Sequence, residues 1–227
     1  MNTSLETPQV IILLGPPGAG KGTHAPKLSQ HLQVPHISTG DLFRYHLKEK
    51  TSLGEIADKY IQKGELVPDD IVIDMVIDRL GESDCKNGCI LDGFPRTIFQ
   101  AISLENKVSD KIIKAIYLKA SDEVLFERIT GRLCCKECNT VYHKSFFPPK
   151  EQGVCDECQT ALFQRKDDTK EVLEKRLEVY HLQTDPLIQF YAKKNALTEI
   201  NVENTNSLEG IFQDILSSLK EAVLTSS

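Results

Sequence analysis

The segment Val10-Ile-Ile-Leu-Leu14, followed by Gly15-Pro-Pro-Gly-Ala-Gly20-Lys21-Gly22-Thr23, restricts what this chain can become more than any other. The apolar run is short, partly β-branched and ends at a Gly/Pro cluster, which predicts a buried strand. A helix is predicted from about Gly20 to Leu32. Glycines between a strand and a helix let backbone N–H groups approach phosphate oxygens with no Cβ in the way. The helix N-terminus adds about half a positive charge, and Lys21 adds a full one. The prediction is a phosphate-binding loop whose ligands come from Gly18, Ala19, Gly20, Lys21, Gly22 and Thr23. In the usual pattern Ser or Thr directly follows the Lys. Here Gly22 holds that place and Thr23 comes next, so direct coordination of Mg²⁺ by a loop hydroxyl is not expected.

Further along, Cys89–Leu91 ending at Asp92, Ile112–Leu118 and Leu197–Val202 read as strands. Asp41–Lys50, Leu53–Lys63, Asp69–Leu80, Glu123–Thr130, Lys170–Ala192 and Leu208–Leu219 read as helices, and Ser38-Thr-Gly-Asp41 as a helix start. Strands alternating with helices predict a parallel sheet covered on both faces, an α/β fold. Two stretches lack this rhythm. Residues 38–67 are helical without a strand. Residues 131–167 carry cysteines, Pro148-Pro149 and several aromatics. Both read as inserts on one core made of residues 1–37, 68–130 and 168–227. Pro26, inside the first helix, removes an N–H and predicts a kink.

Composition narrows the function classes. With 40% hydrophobic and 26% charged residues, the chain is not a disordered segment, a collagen or a coiled-coil rod. No apolar run approaches the ~18–20 residues of a membrane span. Met1 to Gln9 has no basic residue and contains Pro8, so it does not read as a signal peptide. The net charge of −6 argues against general affinity for nucleic acid or anionic membrane.

Seven cysteines without a secretion signal fit a disulfide framework poorly. Cys135-x₂-Cys138 and Cys155-x₂-Cys158 are separated by 16 residues, a zinc-ribbon spacing. Four thiolates from two such turns can surround Zn²⁺ tetrahedrally, a closed and therefore structural site. Cys134-x₃-Cys138 is an alternative register, disulfides or free thiols are alternative states, and His143 is the nearby spare ligand. The other histidines, among them His24, His36 and His46, read as packing or surface residues.

The Gly-Lys-Gly-Thr form of the loop resembles nucleoside monophosphate kinases. Other segments extend the resemblance in the same order. Ser38-Thr-Gly-Asp-Leu-Phe-Arg44 resembles the monophosphate-binding motif. Leu91-Asp-Gly-Phe-Pro-Arg96, with Gln100, resembles the strand end and following loop. Asp122 to Arg132 resembles the lid entrance, and Arg165-Lys-Asp-Asp168 with Arg176 its exit. The long cysteine-bearing lid is similar to that of adenylate kinases of the zinc-containing bacterial type.

That resemblance implies a P-loop core with a five-stranded parallel sheet, a helical monophosphate-binding insert and a zinc-ribbon-like lid. It implies reversible, Mg²⁺-dependent transfer from ATP to AMP, giving two ADP, by a cytoplasmic monomer. Of 27 basic residues only seven are Arg, and six of these lie in the motifs. Arg suits phosphate because its planar fork binds two oxygens and stays charged. Lys21, Thr23, Arg128 and Arg132, the last two placed on one helix face, are implied on the donor side. Asn204, where the family often has Gly, is implied near the donor base. Arg44, Arg96 and Gly93 are implied at the acceptor phosphate, with Thr39, Gln100, Glu65 and Val67 near the acceptor base. Arg165 and Arg176 are implied over the transferred group, and Asp92 at Mg²⁺ through water. Asp167 and Asp168 read as residues that orient arginines or close the lid rather than take a proton. Three rivals remain: another monophosphate kinase, a GTP-preferring long-lid enzyme, and a zinc-ribbon nucleic-acid module on an NTPase-like core.

Overall fold

The computed structural model describes residues 8–203 and 207–224. Strand β1 (Gln9–Leu14) is buried along its whole length, because it lies at the centre of the sheet with both faces covered. Val10, Ile12 and Leu14 enter one hydrophobic core. Ile11 and Leu13 enter the other. A continuous apolar run is what a parallel strand buried on two sides requires.

After β1 come α1 (Lys21–Leu32), β2 (His36–Ser38), α2 (Thr39–Lys48), α3 (Ser52–Ile61), α4 (Asp69–Leu80), β3 (Gly88–Asp92), α5 (Ile98–Lys107), β4 (Ile112–Lys119) and α6 (Asp122–Thr130). Three short strands follow: β5 (Arg132–Cys135), β6 (Val141–His143) and β7 (Leu162–Phe163). The chain ends in α7 (Lys170–Val179), α8 (Pro186–Ala192), β8 (Leu197–Asn201) and α9 (Leu208–Leu224). The main sheet is parallel, in the order β2-β3-β1-β4-β8. Helices α1, α6, α7 and α9 supply Leu28, Leu125, Leu173 and Ile215 to one core. Helices α3, α4, α5 and α8 supply Ala57, Val76, Leu104 and Leu187 to the other.

Four elements differ from the reading of the sequence. The fifth strand, β2, has only three residues, too few to show a period. Residues 98–107, where the sequence predicts no element, are helical and capped by Thr97, whose Oγ1 accepts the N–H of Gln100. The single helix expected over Lys170–Ala192 is two helices joined by a π-helical turn, Tyr180–Thr184. Helix α1 runs unbroken through Pro26. Pro26 and Gly22 are both exposed, so water can serve the carbonyl left without a donor.

Residues 38–67 hold α2 and α3, each started by a hydroxyl cap from Ser38 or Thr51. Residues 131–167 form an antiparallel sheet of order β6-β5-β7 around a small cluster of Cys135, Tyr142 and Cys155.

Candidate active site

The loop after β1 turns through Gly15, Gly18 and Gly20, all at positive φ (145°, 87° and 98°). A Cβ at Gly15 would lie 2.7 Å from the carbonyl oxygen of Leu118. Only glycine meets both demands. The loop thus passes across the C-terminal ends of β1 and β4 and delivers Lys21 to the first turn of α1. Ala19 is buried, while Gly18, Gly20 and Thr23 are partly exposed and Gly22 is exposed.

Lys21 Nζ donates to the carbonyls of Gly15 (2.5 Å) and Pro16 (2.9 Å). Burial pushes its ammonium down to about 8; Asp92 works against this, and Arg96, Arg176 and Arg132 add to it. An ammonium so placed gains from a bound polyanion. Asp92, at the end of β3, is held below the usual carboxylate range. Burial opposes this, but His36, Lys21 and Arg96 outweigh it. His36 Nε2 stands 3.7 Å from Asp92 Oδ2. A Cβ on Gly22 would sit 3.6 Å from that same oxygen, so an ionised carboxylate faces the start of α1.

On the neighbouring side, Gly93 has φ +80°, and a Cβ there would meet Thr39 Oγ1 at 2.7 Å and Arg96 Nη2 at 3.0 Å. Thr39 Oγ1 donates to the Gly93 carbonyl (3.0 Å), as does Arg96 Nε (2.8 Å). Gln100 is buried and its amide already has partners. Its Oε1 accepts the N–H of Arg96 (2.7 Å), and its Nε2 donates to Asp69 Oδ1 (2.7 Å). Asp69 Oδ2 accepts from Thr97 Oγ1 (2.8 Å). Arg44 Nη2 donates to Asp41 (2.5 Å). Glu65, Val67, Asp69 and Thr97 line a cleft of about 460 Å³.

At the lid, Arg132 Nε donates to Asp168 Oδ2 (2.8 Å) and Nη2 to Oδ1. Arg176 Nη1 donates to Asp167 Oδ2 (3.0 Å). Both acids therefore face arginines, as the sequence implied. Arg165 Nε is buried with no hydrogen-bond partner among the described residues. Burial lowers the Arg165 pKa, with Arg132 and Arg44 acting the same way, so three guanidiniums crowd one region. Arg128 Nη2 donates to the carbonyl of Val202 (2.9 Å) at the end of β8. Arg128 and Arg132 do not share a helix face. Helix α6 stops at Thr130, and Arg132 opens β5. Asn204 lies outside the described residues.

The four cysteines of the two pairs bring their sulfurs within 4.8 Å of one another. Cys135 and Cys158 are 3.3 Å apart, Cys138 and Cys155 3.4 Å. None is in a disulfide. A tetrahedral metal with bonds of about 2.3 Å places its sulfurs about 3.8 Å apart, so the cluster fits one. Burial tends to raise the Cys155 thiol. Hydrogen bonds from the Tyr142 hydroxyl, the N–H groups of Cys158 and Glu157 and the Cys138 thiol instead bring it down to about 6. Cys134 is buried outside the cluster. His143 is not a spare ligand. Its Nδ1 accepts the N–H groups of Ser145 and Phe146, and its Nε2 bonds the Glu127 carbonyl at the end of α6.

The reading of the sequence passed over Asp69 and Thr97. Thr97 carried a signal, since a Thr before Ile98, Ala101 and Leu104 is a helix N-cap pattern. Asp69 carried none, because its partners lie 28 and 31 positions away.

A parallel sheet with a glycine loop after its central strand, a lysine at the helix start and a carboxylate at the adjacent strand end defines a P-loop nucleotide-phosphate enzyme. Comparison with known proteins narrows the class. The family model for adenylate kinase matches residues 13–196. The adenylate kinase of Clostridium tetani is 51% identical over 208 residues, covering 90% of this chain and 95% of that protein. Those of Clostridium botulinum (strain Hall) and Clostridium perfringens are 49% and 47% identical, covering 91% and 92% of this chain and 97% and 96% of their own. The chain belongs to the adenylate kinase family.

Proposed function

We propose that the enzyme moves the terminal phosphoryl group of ATP reversibly to AMP, giving two ADP. The observation that carries this reading is the convergence of Lys21, Arg96, Arg132 and Arg176 on one half-buried locus beside Asp92. Two nucleotides bring several negative charges together, and such a locus neutralises them. An oxygen of the AMP phosphate attacks the terminal phosphorus as the bond to the bridging oxygen breaks. That oxygen is already ionised near neutral pH, so no side chain has to take a proton.

The resemblance to the family supports the following division of roles. Lys21, the amides of residues 18–22 and Thr23 hold the donor phosphates, with Arg128 and Arg132 on the same side. Arg44, Gly93 and Arg96 hold the acceptor phosphate, with Thr39, Glu65, Val67 and Gln100 beside its base. Arg165 and Arg176 cover the group in transit. Mg²⁺ arrives with the nucleotide and supplies charge neutralisation; the ionised Asp92 is the residue that would hold it through water. Zn²⁺ would be held by Cys135, Cys138, Cys155 and Cys158 and would stiffen residues 131–167. That segment and residues 38–67 are inserts that close over the core of residues 1–37, 68–130 and 168–227 and exclude water.

Among the described residues no helix is long and apolar enough to cross a membrane. The reading takes the enzyme as a cytoplasmic monomer, and the net charge of −6 supports the absence of a nucleic-acid partner. A coupled assay of phosphoryl transfer across nucleoside mono- and triphosphates tests it. ATP and AMP should be the best pair. A better rate with UMP or CMP overturns the acceptor assignment, and a better rate with GTP the donor assignment.

A further inference from the structure

A straight helix over residues 170–192 cannot accommodate Pro186. Its nitrogen has no hydrogen to donate, and its ring would strike the carbonyl four residues back, that of Leu182. The chain answers with the π-helical turn Tyr180–Thr184. The N–H of Asp185 bonds the carbonyl of Tyr180 at 3.0 Å, one residue further back than in an α-helix. One extra residue rotates everything beyond it by about 100° about the helix axis. Before the turn, Leu173 and Leu177 enter one core. After it, Leu187 and Tyr191 enter the other.

Thr184 sits at this change of face and is buried. A threonine inside a helix commonly returns its hydroxyl to its own backbone. Thr184 Oγ1 instead donates to the carbonyl of Arg96 at 2.9 Å, 88 positions away. Arg96 is thereby held at three points. Its N–H is taken by Gln100 Oε1 (2.7 Å), its carbonyl by Thr184, and its Nε bonds the Gly93 carbonyl (2.8 Å). Two separate helical segments, α5 and the π-helical turn, fix the peptide groups on either side of one arginine. Its Nη groups make no hydrogen bond among the described residues, which leaves them for a ligand.

We propose that Thr184 is a positioning residue for the acceptor phosphate, acting through the backbone of Arg96, and that the π-helical turn exists to present it there. This rests on the reading of Arg96 as a holder of that phosphate. Small misplacement of such a group is costly, since a shift of about 1 Å can lower a rate about a hundredfold.

The test is Thr184→Val, which removes the hydroxyl and keeps the shape, made in the native chain and in an Arg96→Ala background. Loss of one buried hydrogen bond should lower kcat/KM for AMP on the order of tenfold. KM for ATP should move less than twofold. Thr184→Ser should restore the AMP value, and Thr184→Val should add nothing once Arg96 is Ala. Thr184→Ala makes the same comparison if circular dichroism shows the Val variant unfolded. Normal AMP kinetics in Thr184→Val, with Arg96→Ala impaired, overturns this proposal alone. So does an equal loss in both backgrounds, or an equal loss toward ATP and AMP. Normal kinetics in Arg96→Ala overturns the acceptor reading and this proposal with it.

Discussion

Arg132 and Asp168 are joined through two hydrogen bonds, Nε to Oδ2 and Nη2 to Oδ1, across the base of the lid. The carboxylate is fully buried and the guanidinium side chain is 16% exposed. Asp168 precedes α7 and Arg132 opens β5, so the pair ties the two ends of the lid together. A guanidinium has five N–H donors. The pair uses two, so Arg132 is oriented with three still available to phosphate.

Removing Asp168 should therefore damage both stability and chemistry. A buried ion pair deprived of one partner costs roughly 3–5 kcal/mol, because a charge is left without compensation. Asp168→Ala should lower stability by about 3 kcal/mol and lower kcat/KM for ATP by at least tenfold. Urea denaturation and steady-state kinetics check this. A variant with native stability would mean that the pair contributes little.

The pH dependence of donor binding follows from Lys21. Its charged form is the one that attracts phosphate, and in the empty site burial brings it down to about 8. Raising the pH through that value removes the proton before the nucleotide arrives. ATP affinity should fall about tenfold between pH 7 and pH 9, the slope of one proton. For the empty protein the linkage has the opposite sign. Between about 8 and 10.5 the unfolded chain keeps this proton while the folded chain has lost it, so this group adds stability as pH rises. Calorimetric titration of ATP at both pH values decides it, and an unchanged affinity contradicts the account.

Gly93→Ala should impair the acceptor side and spare the donor side. The residue lies at φ +80°, and its Cβ would press on Thr39 and Arg96. KM for AMP should rise about tenfold or more, with KM for ATP within twofold. The backbone strain alone is worth on the order of 1 kcal/mol. Equal effects on both substrates would place Gly93 outside the acceptor site.

The cysteine cluster predicts one zinc per chain. The insert is too small for a large apolar core and needs a staple, and metal binding at such a site is also folding energy. Replacing Cys135, Cys138, Cys155 or Cys158 by Ser should each release zinc and lower the melting temperature of the lid. Cys134→Ser should keep it. Elemental analysis reads the outcome. Zinc loss in Cys134→Ser, with none in Cys135→Ser, would reverse the register.

The parts legible in the sequence share one property: their signal is local. The loop from Gly15 to Thr23 is read from adjacent residues because a turn is built from adjacent residues. The same holds for the apolar run of β1, the Ser38 cap and the two C-x-x-C turns. The motif arginines were also in view, since six of seven fall in short segments. Tertiary structure decided what depends on distant partners. Strand β2 exists because β3 pairs with it through Ile37 and Leu91; three residues alone show no period. The break in the last long helix is local, since Pro186 alone rules out a continuous α-helix; what the sequence does not show is that Thr184 turns its hydroxyl to the Arg96 carbonyl, 88 positions away. The choice between Cys134 and Cys135 was made by the pleat of β5, whose successive side chains point to opposite faces. Only one of the two can turn toward Cys158 (3.3 Å). The pairing of Arg132 with Asp168 spans 36 positions. No local pattern encodes such a contact, because its geometry exists only after the sheet, the lid and α7 have packed.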